Sequence, residues 1–298
     1  MRITSGLACT AVALAALTQS ACAHDDVAAA GAADGDLDVT RLSVGDGRVT
    51  TSGARRGWVY ACRTPMGGAP GARGGGPWID GSTWDLTQKP TVDGTVRWDG
   101  ATYRVRRRGS RRAIAGNGLP AHATGTFPIQ PSDDAYEYDR NPNPVASAAF
   151  DVELPASPRK AARPSCLGMG AIGVLDSGAV LYDALDAGGR DAAAHELQDA
   201  CGGHPQQSGQ YHYHALPACS RTGPSKAHSR RLGWAFDGFP IYGPRGEGGE
   251  YARNSALDAC HGHTHAIELD GRRRRAYHYH ATMEYPYTLG CFRGTPAA

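Results

Sequence analysis

The stretch YHYHA occurs twice in the sequence, at Tyr211–Ala215 and at Tyr277–Ala281. In a β-strand, residues two apart point to the same face of the sheet. A strand with this sequence therefore presents its two histidines on one face and its two tyrosines on the other. We expect the two copies to be neighbouring strands of one β-sheet, which would bring four imidazoles to one place.

These four histidines, with one more nearby, are candidate metal ligands: His212, His214, His278, His280 and His204. Neutral imidazole is a common protein ligand of zinc and copper. Three histidines around zinc would leave an open position for water or a substrate. Three or four around copper would suit a redox or copper-handling role. The sequence thus predicts a single site for a divalent transition metal, copper or zinc, as the cofactor.

Two other functions use the same residues without a metal. A hydrolase could take a histidine as its base and Asp237 to orient that base, although the sequence has no GxSxG motif. Asp237 is also a candidate catalytic base, or a partner of a ligand histidine, in a metal enzyme. Asp-Gly is at the same time a common turn pair, which is the simpler explanation of Asp237-Gly238. A binding or surface module would keep the histidines for structural reasons alone.

Composition favours a mainly β fold. The 298 residues include 40 Gly and 19 Pro but only 5 Phe, which is typical of short strands and many turns. We predict an antiparallel sandwich-like or irregular sheet, with long loops and at most one or two short helices. One such helix is expected within Asp191–Ala200, where Asp191 can cap its start. Residues 40–298 are predicted to form a single domain.

The N-terminus has the features of an export signal over residues 1–23. Arg2 precedes the apolar run Leu7–Leu17, and Ala21-Cys22-Ala23 is a small-x-small cleavage site. Residues 24–39 are rich in Ala, Gly and Asp and are predicted to be a disordered linker. Cys22 leaves open a lipoprotein, tethered to a membrane by a lipid on that cysteine, as the alternative to a freely secreted or periplasmic protein.

Six further cysteines lie beyond the export signal: Cys62, Cys166, Cys201, Cys219, Cys260 and Cys291. An even number in an exported chain indicates three disulfides, for which fifteen pairings are possible. Cys201–Cys219 and Cys260–Cys291 are favoured because each pair brackets one copy of YHYH, which leaves Cys62–Cys166. Zinc ligation by the thiolates is a weaker hypothesis, since no CxxC spacing is present.

Charge gives little reason to expect a polyanionic partner. The formal net charge is +2, and the basic runs within Arg104–Arg112 and at Arg272–Arg275 lie beside turn signals without interleaved aromatic residues. We expect solvated hairpin tips there and no nucleic-acid binding. The predicted partners are a metal or an unidentified small molecule, and the chain is expected to be a monomer.

The histidine-rich half resembles the YHYH-domain family of exported proteins. The resemblance rests on five segments in that half, at Gly203-His204, Gly209–Cys219, Gly233–Pro244, Leu257–Cys260 and Tyr277–Gly294. An upstream segment at Gly118–Pro128 is also similar. The resemblance extends over roughly Cys62 to Gly294. It implies where the domain lies rather than what the domain does, because the biochemical role of the family is unassigned.

Overall fold

A computed structural model describes residues 37–65, 67, 74–224 and 226–297. The predicted export signal, including Cys22, and most of the predicted linker lie outside the described residues. Val39, at the end of that linker, is buried in the described part. Among the described residues, no helix has the length and apolar character that a membrane crossing requires.

The fold consists mainly of short β-strands, as predicted. The strands are β1 (Leu42–Ser43), β2 (Val49–Thr50), β3 (Val59–Tyr60), β4 (Ile79–Asp80), β5 (Thr83–Trp84), β6 (Tyr103–Arg108), β7 (Arg111–Gly116), β8 (Phe150–Pro155), β9 (Ala171–Leu175), β10 (Val180–Tyr182), β11 (Gly203–Pro205), β12 (Tyr211–Tyr213), β13 (Arg231–Ala235), β14 (Pro240–Tyr242), β15 (Gly262–Leu269) and β16 (Arg272–His280). The helical elements within the described ranges are α1 (Ala192–His195) and two 3₁₀ turns, Asp134–Glu137 and Asn254–Ala256.

The helix α1 is shorter than the ten residues predicted. The Asp191 side chain caps it as expected, accepting hydrogen bonds from the amides of Ala193 and Ala194. The helix ends at Glu196, whose backbone is extended. Asp199 then starts a turn in which its carboxylate accepts hydrogen bonds from the Cys201 and Gly203 amides.

An eight-stranded sheet forms the centre of the molecule, in the order β11-β12-β10-β9-β13-β14-β16-β15. The order is symmetric about its middle. Strands β13 and β14 begin sixty residues after β9 and β10, respectively. The sheet is therefore made of two copies of one four-stranded unit. Taken with the three residues before β9 and before β13, we call them the first copy (residues 168–219) and the second copy (residues 228–291).

The two copies meet through antiparallel pairing of β9 with β13. Val174 lies opposite Trp234, Gly173 opposite Ala235 and Leu175 opposite Gly233. Val174 and Trp234 are equivalent residues of the two copies, so an approximate twofold axis passes between them. Three smaller sheets surround this one: β1-β5-β4, β2-β3 and β6-β7-β8.

Each copy begins with a β-hairpin whose turn requires glycine. The first turn contains Gly178 and the second contains Gly238, with φ of 91° and 86°. Side chains other than glycine rarely adopt such angles. A Cβ on Gly238 would also lie 2.7 Å from the Pro155 carbonyl oxygen. The hairpin β9–β10 is the one that the sequence predicts within Ala171–Tyr182.

Three disulfides link the six described cysteines. The pairs are Cys62–Cys166, Cys201–Cys219 and Cys260–Cys291, which are the predicted pairs. Each copy of the sheet unit has one disulfide of its own, which joins the start of its outermost strand to the chain beyond its YHYH segment.

Candidate metal centres

The two YHYH segments lie in different halves of the central sheet. The first forms β12 and the second forms the end of β16, and β10, β9, β13 and β14 stand between them. Five inter-strand spacings correspond to about 24 Å. The prediction that the four histidines converge on one metal from neighbouring strands is therefore wrong, because each segment pairs with the other strands of its own copy.

The alternation of the two faces is as predicted. On the tyrosine face the four tyrosines Tyr211, Tyr213, Tyr277 and Tyr279 are all buried. The Tyr211 hydroxyl donates to the Asp199 carboxylate, with O–O distances of 2.9 and 3.0 Å. Tyr277 donates in the same way to Asp258 at 3.0 Å. These tyrosines belong to the core, and each finds an acceptor there, as buried hydroxyls must.

Asp237 lies on the tyrosine face and not among the histidines. Its carboxylate accepts hydrogen bonds from the amides of Phe239 at 3.2 Å and Gly294 at 2.8 Å, and from the Tyr279 hydroxyl. At the equivalent place of the first copy, Ser177 accepts from Tyr213. Asp237 therefore closes its turn and holds a core tyrosine, and its hydrogen bonds give no support to the expected partnership with a ligand histidine.

Four histidines meet in the second copy, and we call them the second histidine group: His228, His263, His278 and His280. The Nε2 atom of His278 lies 3.1 Å from the Nε2 atoms of His228, His263 and His280. The Nε2 atoms of His263 and His280 are 3.0 Å apart. Four ring nitrogens thus surround one point.

The other ring nitrogen of three of these histidines is held by the backbone. Nδ1 of His278 donates to the Ala276 carbonyl, that of His280 to Gly243 and that of His228 to Ser229. A carbonyl can only accept, so each Nδ1 carries the proton and the Nε2 of the neutral ring carries a lone pair. These lone pairs face one another at 3.1 Å, which is repulsive unless a cation lies between them.

Sequence reasoning left out two members of this group. His263 has a signal, because the segment Asp199–His204 is repeated as Asp258–His263, with the cysteine, glycine and histidine at the same positions. His228 has no such signal, because it lies outside every repeated segment. The structure brings it in because the chain that enters β13 places its ring edge-on against Tyr242, with ring centroids 4.9 Å apart.

Three predicted ligands meet in the first copy and form the first histidine group: His204, His212 and His214. The Nε2 atoms of His212 and His214 are 3.0 Å apart. Their Nδ1 atoms donate to the carbonyls of Gln210 and Asp183. His204 is buried, and neither of its ring nitrogens has a hydrogen-bond partner. Such an unpaired buried group costs about 1–3 kcal/mol, which indicates that a ligand belongs there.

Glu196 lies beside the first histidine group. Its Oε2 atom is 3.4 Å from Nε2 of both His204 and His214 and has no hydrogen-bond partner. Among the described residues, His204, His212 and His214 each have a ring nitrogen within 4.8 Å of the other two, and Glu196 does not belong to this set. Burial, with Asp186 and Asp139 nearby, raises the pKa of Glu196 to about 8.

A cavity of about 760 Å³ leads to the first histidine group. All three histidines and Glu196 form part of its wall, together with Asp139, Asp183 and Asp186. No Lys or Arg is among the described residues that line it. The first group is therefore accessible to a small molecule.

Burial keeps these histidines neutral. It lowers the pKa of His214 to about 4, and with the neighbouring His265 and His228 it lowers the pKa of His263 to about 4. The pKa values of His204, His212 and His280 are also well below the ordinary value, chiefly through burial. A neutral imidazole is the form that binds a metal.

The distances fit a tetrahedral transition metal. Zinc–nitrogen bonds of 2.0–2.1 Å at tetrahedral angles place neighbouring nitrogens roughly 3.3 Å apart, close to the 3.0–3.1 Å between the Nε2 atoms named above. A third set, His122 with Cys201 and Cys219, also has ligand atoms close together. It does not fit a metal, because its two sulfurs form a disulfide.

Comparison with known proteins supports the resemblance that the motifs indicate. Residues 151–250 match the model of the YHYH protein family. The YHYH match covers about a third of the chain, including β8 to β14, the first histidine group and His228, and ends before β15. The resemblance noted in the sequence, from roughly Cys62 to Gly294, extends beyond this match on both sides. No curated protein and no solved structure matches the chain.

Proposed function

We propose that this protein is an exported metal-binding protein that holds two transition-metal ions, zinc or copper, one in each histidine group. The observation that carries the proposal is the meeting of buried Nε2 atoms at 3.0–3.1 Å. In His212, His214, His228, His278 and His280 the Nδ1 proton is committed to a backbone carbonyl, so Nε2 has only a lone pair to offer. A cation at each point removes the repulsion and satisfies the nitrogens at once.

The donor atoms select the class of metal. Imidazole nitrogen suits zinc and copper, whereas calcium and magnesium take oxygen ligands. The second histidine group supplies four nitrogens, as in closed structural sites. The first supplies three, with Glu196 beside them. The backbone carbonyls that orient the rings act as the outer hydrogen-bond partners that metal-bound histidines ordinarily have.

Export of the chain rests on two further features. Three disulfides are typical of proteins that leave the reducing cytosol, and the first 23 residues have the pattern of an export signal. We propose a protein that is secreted or periplasmic, with a lipid on Cys22 as the alternative tether. Its expected partners are the metal and a small molecule, and it is expected to act as a monomer without nucleic acid.

Elemental analysis of untagged protein after reconstitution with zinc or copper tests the proposal. We expect two ions per chain. Changing His212 and His214 together to Ala should remove one ion, and changing His278 and His280 together to Ala should remove the other. The variant Asp237→Asn is the control, because its carboxylate is on the tyrosine face, and it should keep both ions.

The contrary result is a folded protein without metal. If circular dichroism shows the native β spectrum and the reconstituted chain carries no ion, the histidines are structural. The protein would then be a metal-free surface module. Loss of both ions from either double variant would instead show that the two groups do not bind metal independently.

A further inference from the structure

The two histidine groups differ at one position that the internal repeat defines. Strands β9 and β13, and strands β10 and β14, begin sixty residues apart. Tyr182 and Tyr242 have the same separation, and each ring packs against a histidine of its own group. By this register the equivalent of His228, the fourth ligand of the second group, is Gly168 in the first copy.

Gly168 leaves open space where the second copy has a ring. A Cβ atom built on Gly168 would meet no atom within 4 Å. The next two residues, Met169 and Gly170, line the cavity that leads to the first histidine group. In the second group the chain itself supplies the fourth imidazole, from His228. At the equivalent side of the first group, a cavity connects the three histidines to solvent.

Unpaired acceptors face this space. Glu196 Oε2 and Asp183 Oδ2 are both buried, without hydrogen-bond partners, and both residues line the cavity. A ligand that enters can pair with these oxygens, as carboxylates, through an N–H or O–H group. The four acidic residues of the wall, and the absence of Lys and Arg from its described part, disfavour an anion.

We propose that the first histidine group is an open metal centre that binds a small neutral nitrogen ligand from the cavity, in the position that His228 fills in the second group. The ligand offers a lone pair to the metal and an N–H to Glu196. The second group already has four imidazoles from the chain and takes no external ligand. This inference rests on the proposed function, because it presupposes an ion in each group.

Cobalt reconstitution with imidazole as the probe tests the difference. The variant with His278 and His280 changed to Ala keeps only the first group, and the variant with His212 and His214 changed to Ala keeps only the second. We expect imidazole to change the visible cobalt spectrum of the first-group protein, saturably. The second-group protein should not respond. Azide, an anion of similar size, should bind the first-group protein at least tenfold more weakly.

Exchange of the distinguishing residue completes the test. In the first-group protein, Gly168→His should abolish the imidazole response and Gly168→Ala should preserve it. In the second-group protein, His228→Gly should create a response. If Gly168→His does not fold, the His228→Gly protein and the two parent proteins decide the question.

The failures can be told apart. Cobalt bound in both groups, with an imidazole response in neither or the same response in both, overturns the open centre and leaves the proposed function standing. Cobalt bound in neither group overturns the proposed function, and this inference with it. A stronger response to azide than to imidazole overturns the ligand class.

Discussion

Single backbone hydrogen bonds decide what the histidines can do. His214 donates from Nδ1 to the Asp183 carbonyl, and the equivalent His280 donates to Gly243. Each bond fixes the tautomer and turns Nε2 towards the neighbouring rings. Because the rings are also buried, protonation is costly, and the residues are held as neutral ligands even before a metal arrives.

The metal-free protein should lose stability as the pH falls. The pKa of His214 is about 4 in the folded chain and about 6.5 in an unfolded one, so the unfolded state binds the proton first. Its contribution, present above pH 6.5, is lost as the pH falls towards 4. The unfolding free energy lost by pH 4 through this one group is about 3 kcal/mol. Urea unfolding of chelator-treated protein between about pH 7 and pH 4.5 measures this loss.

The variant His214→Gln provides the control for this measurement. Glutamine cannot take up a proton, so the unfolding free energy of the variant should depend less steeply on pH than that of the parent chain. Equal slopes for the two proteins would show that burial does not hold this imidazole neutral.

At the residue scale, the sequence predicted those features that follow from a local rule. The period-2 pattern assigned His212 and His214 to one face and the tyrosines to the other, and the structure agrees. Asp237 was misplaced and His228 was missed, because their surroundings depend on distant contacts. The Tyr279 hydroxyl and the Gly294 amide bind Asp237, and neither contact follows from the residues beside it in sequence.

At the scale of elements, the disulfides anchor the outer strands of each copy. Cys201 and Cys260 lie just before β11 and β15, the strands that carry His204 and His263. The pairing was predictable because each pair brackets one YHYH segment. The length of α1 was not, because the chain is already extended at Glu196 and the next amide, of Leu197, donates to the distant Asp139 carboxylate, a contact that helix propensity does not describe.

Removal of one disulfide should destabilise the protein by an amount that grows with the logarithm of the length of the loop it closes. Cys260 and Cys291 are 31 residues apart, and closing a loop of that length restricts the unfolded chain by about 4 kcal/mol. Changing both to Ser should lower the unfolding free energy by this amount in urea. The 18-residue loop of Cys201–Cys219 should give about 3 kcal/mol.

Thiol titration of the denatured, unreduced protein checks the premise. None of the six described cysteines should react. Reactive thiols at Cys201 and Cys219 would reopen the set that these two form with His122 as a metal site.

At the scale of the whole molecule, the repeat was the main feature that the sequence analysis underestimated. Two identical segments could together form one shared site, or each could form part of a separate site. The choice depends on how far the repetition extends. Here it includes the hairpins sixty residues apart and the cysteine–glycine–histidine segments before β11 and β15, so each copy contains a complete site of its own.

The antiparallel ladder of β9 with β13 makes the chain a dimer of its own halves. Equivalent residues pair across the twofold axis, as in a symmetric quaternary interface, and no disulfide joins the two sides of the exposed loop at Gly223. A specific protease site can be inserted after Gly223 and then cut. The cut protein should therefore give two fragments on a non-reducing denaturing gel. Under native conditions the two fragments should elute together, at the size of the intact protein. Separation of the fragments without denaturant would show that the covalent link, and not the shared sheet, holds the halves together.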